Sequence, residues 1–177
     1  MNFEHEPGMD VLETARLRLR HFIADDAAFV LELLNDPAFL QNIGDKKVRT
    51  LAEARGYLLQ GPMASYAEHG FGLNLVVLRE SGAPIGMCGL LKRPNLQDVD
   101  IGYAFLPHFT GKGYATESAA AVLAHGREQF GLQRIVAIVS PHNRASIRVL
   151  EKLGLVFERS IQLSGDANPV SLFAPPA

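Results

Sequence analysis

The chain has a single cysteine, Cys88. An internal disulfide is therefore excluded, and nothing in the cysteine usage points to an oxidising compartment. Cys88 lies in the apolar run Ile85-Gly86-Met87-Cys88-Gly89-Leu90 with no activating base beside it. It reads as a small buried hydrophobe, not a nucleophile. No CxxC pair and no close histidine pair supplies ligands for zinc, so no metal is expected. A basic surplus is also missing. Lys and Arg number 17 against 19 Asp and Glu, a formal net charge of -2. The two signs are mixed along the chain, which argues against direct nucleic-acid binding by phosphate neutralisation. No apolar run approaches the length of a membrane span. Residues Met1–Asp10 have neither the basic nor the apolar segment of a secretory signal. They read as a flexible tail, and the expected location is cytoplasmic. There is no internal repeat, long linker or low-complexity tract.

What is present fits one domain, residues 11–177, of ordinary composition. Of 177 residues 47% are hydrophobic and 20% charged, enough to build a core without staples. Arg16-Leu17-Arg18-Leu19-Arg20 alternates as a half-buried strand does. Asp25 and Asp26 open a helix through Phe29, Val30, Leu33 and Leu34 that stops near Asn35-Asp36-Pro37. A second helix covers Leu51 to Gln60 and ends at Gly61-Pro62. Strands follow at Leu73–Arg79 and Pro84–Leu91, joined by Glu80-Ser81-Gly82. The next strand, Asp98 to Leu106, sorts Val99, Ile101, Tyr103 and Phe105 to one face and Asp100, Gly102 and Ala104 to the other. A helix from Tyr114 to Phe130 ends at Gly131. Arg134–Val139 is a strand, Asn143 to Gly154 a helix, and Val156–Leu163 and Val170–Phe173 paired strands. Strands and helices in this order make a mixed α/β domain.

The chemistry concentrates in Leu106-Pro107-His108-Phe109-Thr110-Gly111-Lys112-Gly113-Tyr114-Ala115-Thr116-Glu117. A strand ends, two glycines one residue apart follow, and an amphipathic helix begins. The first N–H groups of a helix have no internal partner and attract anions. Glycine allows a phosphate to approach the backbone closely. The arrangement suits a pyrophosphate. It is not a P-loop, because Gly113 and not Ser or Thr follows Lys112. Nor is it a dinucleotide fingerprint, because no glycine stands three residues after Gly113. Taken alone, Gly-x-Gly before a helix also fits a plain turn.

Three segments together carry a resemblance. Gly111-Lys112-Gly113-Tyr114-Ala115-Thr116-Glu117, Asn143-Arg144-Ala145-Ser146-Ile147-Arg148-Val149-Leu150-Glu151-Lys152-Leu153-Gly154 and Thr14-Ala15-Arg16-Leu17-Arg18-Leu19-Arg20 stand in the chain in that family's order and spacing. The sequence resembles the GCN5-related N-acetyltransferase (GNAT) family, and within it the branch that acetylates N-termini of ribosomal proteins. The family's acetyl-CoA motif is Arg or Gln, two residues, Gly, one residue, then Gly or Ala; here His108 takes the first place. The resemblance implies a mostly antiparallel sheet of about six to seven strands flanked by about four helices. Two central parallel strands, Asp98–Leu106 and Arg134–Val139, would splay apart around the pantetheine arm of acetyl-CoA.

The same resemblance implies residue roles. Backbone groups near Phe105 and Leu106 would pair with the pantetheine amides as an added strand would. Thr110, Gly111, Lys112, Gly113, Tyr114, Ala115 and Thr116 would hold the pyrophosphate. Asn143 would contact the arm while also capping its helix. Ser146 would meet the cofactor sulfur and protonate the departing thiolate. Many relatives place a tyrosine acid seven residues after the motif asparagine; this chain has Leu150 there. Asp100 and Glu117 are the candidate bases, each with a structural reading beside the catalytic one. The expected reaction is direct acetyl transfer to a primary amine. A protein N-terminus, a polyamine-like metabolite and an aminoglycoside stay open as acceptors, as does a homodimer. So does a binding module that holds acyl-CoA without transfer. The acceptor region spans Asp36 to Gly72 and the loop Ser164 to Pro169, and neither charge dominates it.

Overall fold

A computed structural model describes residues 8–163 and 168–177. Residues 1–7 of the expected tail and 164–167 of the expected acceptor loop lie outside the described residues. The chain runs β1 (Asp10–Glu13), β2 (Leu17–His21), α1 (Ala27–Leu34), α2 (Pro37–Asn42), α3 (Leu51–Gln60), α4 (Pro62–His69), β3 (Leu73–Leu78), β4 (Pro84–Leu91), β5 (Val99–Phe105), α5 (Tyr114–Phe130), β6 (Ile135–Val139), α6 (Arg144–Lys152), β7 (Val156–Ile161) and β8 (Val170–Ala174). The strands form one eight-stranded sheet in the order β1-β2-β3-β4-β5-β6-β8-β7. Every neighbouring pair is antiparallel except β5 and β6.

Two features exceed the expected six to seven strands and four helices. Asp10, assigned to the tail, opens β1, which pairs with β2. Helices α2 and α4 follow directly on α1 and α3, where the sequence reading stops a helix and assigns no further one. Asp36 and Pro37 stop α1 but also start α2: the Asp36 carboxylate accepts from the N–H of Ala38 at 3.0 Å, and Pro37 takes the first helical position. Pro62 does the same for α4 directly after α3, and Gly70 closes α4 in the left-handed conformation, φ 82°.

The sheet is covered on both faces. Under α5 and α6 lie Leu17, Leu19, Val76, Ile101, Val122, Leu123 and Leu150. Under α1 and α3 lie Phe22, Val30, Leu34, Leu58, Leu75 and Ala104. The alternation expected for β5 holds: Val99 and Ile101 join the first cluster, Ala104 the second. Each fully buried leucine contributes about 1.5–3 kcal/mol. Cys88 is buried in the first cluster, and burial pushes its thiol up to about 12. No helix among the described residues is long and apolar enough to cross a membrane.

What positions the site is the partial pairing of β5 with β6. The two strands pair only at Val99–Ile135 and Asp100–Val136, although β5 continues to Phe105 and β6 to Val139. Beyond that point the neighbours separate and leave a gap that opens toward the C-terminal ends of both strands.

Candidate functional site

The Leu106 N–H donates to the Ile85 carbonyl on β4 at 2.9 Å, and the Leu106 carbonyl accepts from Phe109 N–H at 2.9 Å. Both main-chain groups of Leu106 are therefore engaged. Successive residues of a strand point their backbone groups to opposite edges. Phe105 consequently turns its N–H and C=O toward β6, where pairing has already stopped. The edge offered to a ligand amide belongs to Phe105, with Leu106 fixing its orientation.

The loop after β5 is a tight turn. Thr110 donates through its hydroxyl to the Pro107 carbonyl at 2.8 Å. Gly111 and Gly113 both take positive φ, 74° and 84°, which a side chain disfavours. Gly113 is the residue before α5 and brings no side-chain cap. The first bond of the helix is Glu117 N–H to the Gly113 carbonyl at 3.0 Å. Among the described residues nothing accepts from the N–H groups of Tyr114, Ala115 and Thr116. Space around Gly111 is open, with no atom within 4 Å of where a Cβ would lie. Three unbonded donors at a positive helix end with an open approach suit a pyrophosphate. Lys112 points its ammonium toward the Phe109 ring, 5.9 Å from the centroid, and accepts at its carbonyl from Arg16 Nη1 at 3.0 Å.

Glu117 ties this loop to the start of β2. Its carboxylate accepts from the Thr14 hydroxyl, from Arg16 N–H at 3.0 Å and from Arg16 Nε at 2.7 Å. The Arg16 guanidinium also lies 4.3 Å over the Tyr114 ring. Partial burial by itself raises the Glu117 carboxyl, but these hydrogen bonds outweigh it and hold the group below the ordinary range. Both oxygens accept hydrogen bonds from the start of β2, the geometry of a tether, and the lowered pKa makes Glu117 a weaker base than an ordinary carboxylate. The linkage has a definite sign. A depressed folded pKa adds stability above the unfolded value near 4.5, lost as pH falls through the folded value. Wild type should therefore lead Glu117→Gln in urea midpoint at pH 7, with the lead shrinking below about pH 4.5. A lead independent of pH would remove the charge from this account.

Asp100 is fully buried, and both its oxygens face Arg93 Nε, at 3.1 and 3.2 Å. Burial pushes its carboxyl above the ordinary value, against the opposing pull of Arg93. It also sits where β5 and β6 are still paired, at the closed end of the gap. Its geometry is that of a buried ion pair, not of a base facing an incoming amine.

Asn143 caps α6: its side-chain oxygen accepts from Ser146 N–H at 3.3 Å. The Ser146 hydroxyl meets the Tyr103 hydroxyl of β5 at 2.8 Å. Leu150 is 1% exposed and belongs to the core, so it fills space. Three residues of the site were not singled out from sequence: Arg16, Tyr103 and Ser140. Tyr103 was visible only as a member of an alternating strand, and Arg16 as that and as part of the Thr14–Arg20 segment, with no role given to either. Ser140, at the end of β6, donates to the Asn42 carbonyl at 2.9 Å and so joins α2 to the gap's far side.

Comparison with known proteins gives the family. The chain matches the Acetyltransferase (GNAT) domain family over residues 16–156. An uncharacterized N-acetyltransferase of Bacillus subtilis, YnaD, is 30% identical over 144 residues, 81% of each chain. A solved GNAT-family acetyltransferase from Bacillus anthracis has 27% identity and a TM-score of 0.76, covering 94% of this chain and 97% of its own. The fold is also that of RimL, a ribosomal alpha-N-protein acetyltransferase solved in complex with coenzyme A, with 20% identity, TM-score 0.79, and 94% and 97% of the two chains covered.

Proposed function

The chain belongs to the acetyltransferase (GNAT) family, and from that premise we propose that the sheet from Asp10 onward and its helices act as one domain moving an acetyl group from acetyl-CoA to a primary amine, foremost a protein N-terminus. The observation that carries this reading is the conjunction of the β5–β6 gap with the uncapped start of α5. Phe105 offers its free backbone edge to the pantetheine amides. The N–H groups of Tyr114, Ala115 and Thr116, with those of Gly111–Gly113, hold the pyrophosphate. Asn143 and Ser146 approach the arm from α6.

In the reaction the neutral amine attacks the thioester carbonyl, a C–N bond forms and the C–S bond breaks. The electron pair leaves with sulfur as thiolate. An α-amino group has a pKa near 8, so a useful fraction is already neutral at working pH. A thiol pKa of about 8.5 makes the thiolate a ready leaving group. Asp100 and Glu117 are both engaged in ion pairs, so solvent is the proposed proton acceptor and positioning is the main source of rate. Ser146 is the group proposed to meet the departing sulfur.

The protein N-terminus is favoured because the fold is shared with RimL over nearly the whole chain and because an α-amine needs no strong base. Incubation with acetyl-CoA and three amines separates the acceptors: a peptide with a free N-terminus, a polyamine and an aminoglycoside. Mass spectrometry should find the acetyl group on the peptide α-amine. Acetylation of the polyamine or aminoglycoside alone would assign a small-molecule acceptor. Acetyl-CoA should also raise the thermal midpoint, while ATP and NAD should not; a saturable shift with either of these and none with coenzyme A would reverse the cofactor assignment.

A further inference from the structure

We propose that Tyr103 is a positioning residue for transfer, holding the Ser146 hydroxyl so that its proton faces the departing sulfur. The inference rests on the reading that Ser146 meets that sulfur. Tyr103 comes from β5 and Ser146 from α6, 43 residues apart, yet their hydroxyls lie 2.8 Å apart. The Tyr103 hydroxyl is also placed to donate to the Ser146 carbonyl at 3.3 Å, the longer of the two alternatives for its one proton. Tyr103 stands past the last paired residues of β5 and β6, on the stretch of strand that borders the gap. Leu150, one turn further along α6, is a core leucine with no proton to give. The second hydroxyl beside Ser146 therefore comes from β5.

Donor direction follows from acidity. A phenol donates more readily than an alcohol, and each hydroxyl has one proton and two lone pairs. Tyr103 donating to Ser146 Oγ leaves the serine proton uncommitted and able to turn into the gap. With the opposite direction the serine proton would be committed to the Tyr103 oxygen. Burial pushes the Tyr103 hydroxyl up to about 12, so it stays protonated and remains a donor through the neutral range. The thiol of Cys88, paired in register with Tyr103 on β4, is neutral there as well and brings no competing charge.

The pair does not need to lose a proton. The C–N bond forms, the C–S bond breaks, and the thiolate forms facing the Ser146 O–H, which stabilises it as a charge-assisted hydrogen bond. The proton shed by the amine enters solvent and returns to the thiolate on release. Tyr103 contributes by fixing the serine rotamer before the charge develops.

The test is a double-mutant cycle with Tyr103→Phe and Ser146→Ala, read as single-turnover transfer rates so that product release does not mask the chemistry. Tyr103→Phe keeps the buried ring. It should lower the transfer rate about three- to tenfold, the worth of one hydrogen bond, with acetyl-CoA affinity unchanged. Ser146→Ala should lower it at least as much. The double variant should be no slower than Ser146→Ala, and Ser146→Thr should restore most of the rate. Equal rates in Tyr103→Phe and wild type would overturn the inference. So would independent, multiplicative losses in the double variant, which would mark Tyr103 as acting by another route. A silent Ser146→Ala would sink the reading of Ser146 itself, and the Tyr103 inference with it.

Discussion

Gly113→Asp should weaken acetyl-CoA binding by about ten- to a hundredfold while the protein stays folded. Gly113 sits immediately before α5 with φ 84° and no cap. An aspartate there puts a carboxylate where such side chains accept from first-turn N–H groups. It would fill the anion site from within and repel the phosphates. Charge-assisted hydrogen bonds are worth about 1.5–3 kcal/mol each, so losing one of them accounts for the size. Stability should fall by about 1–2 kcal/mol, the strain of a side chain at positive φ. The new Cβ would also lie 3.3 Å from Arg16 Nη2, a tight contact that the end of a flexible side chain can relieve by shifting. Gly113→Ala carries the strain without the charge and should lose far less affinity. Calorimetric titration of both variants distinguishes the two terms. Unchanged affinity in folded Gly113→Asp would mean that the phosphates bind elsewhere.

Gly89→Ala should be the more damaging substitution for the fold. A Cβ at Gly89 would lie 2.0 Å from the Gly72 carbonyl oxygen and 2.7 Å from Leu73 Cα. Both are backbone atoms of the stretch that leads into β3, which pairs with β4 here, Leu73 opposite Gly89. No rotamer relieves the contact, so the strands must move apart at the sheet centre. Overpacking of this kind costs about 3 kcal/mol or more, a fall of roughly 6–12 °C in thermal midpoint for a domain of this size. Gly56→Ala is the contrasting case. Gly56 lies inside α3 with open space around it, and alanine there should add about 0.5–1 kcal/mol by helix propensity. Thermal melts of the two variants should therefore move in opposite directions. Similar midpoints for Gly89→Ala and wild type would show that the β3–β4 contact gives way more easily than its geometry states.

Legibility of the fold followed the strength of the apolar pattern. The β4 segment Pro84–Leu91 and the α5 segment Tyr114–Phe130 have the bounds expected of them, the first because it is an unbroken apolar run after the Glu80-Ser81-Gly82 turn, the second because it repeats its period several times. Helix α2, six residues long, is too short to display a period; α4 has eight residues, as α1 has, but buries only Pro62 and Tyr66 where α1 buries Ala27, Val30, Leu33 and Leu34. Their start signals, Asp36-Pro37 and Gly61-Pro62, were visible as breaks and double as starts. The four residues of β1 owe their conformation to β2 beside them, which no local pattern reveals. At the site, the loop of two positive-φ glycines before α5 was legible because that conformation is a local requirement for glycine. The tether from Thr14 and Arg16 to Glu117 spans about a hundred residues, and the Tyr103–Ser146 pair spans 43. Neither leaves a trace in spacing. Asp100 shows the same limit: an aspartate on a strand reads equally as base or ion-pair partner until Arg93 is seen against it.

The central claim, that this chain transfers acetyl from acetyl-CoA to an amine, is tested most directly by release of free coenzyme A thiol. Purified protein is mixed with acetyl-CoA, with and without a peptide bearing a free α-amine, and the thiol is followed with a chromogenic disulfide. The account predicts release that saturates with both acetyl-CoA and peptide, falls in Gly113→Asp, and is matched by acetylated peptide. Acetyl-CoA that binds and stabilises the protein, yet gives no amine-dependent thiol with any acceptor tried, would contradict it.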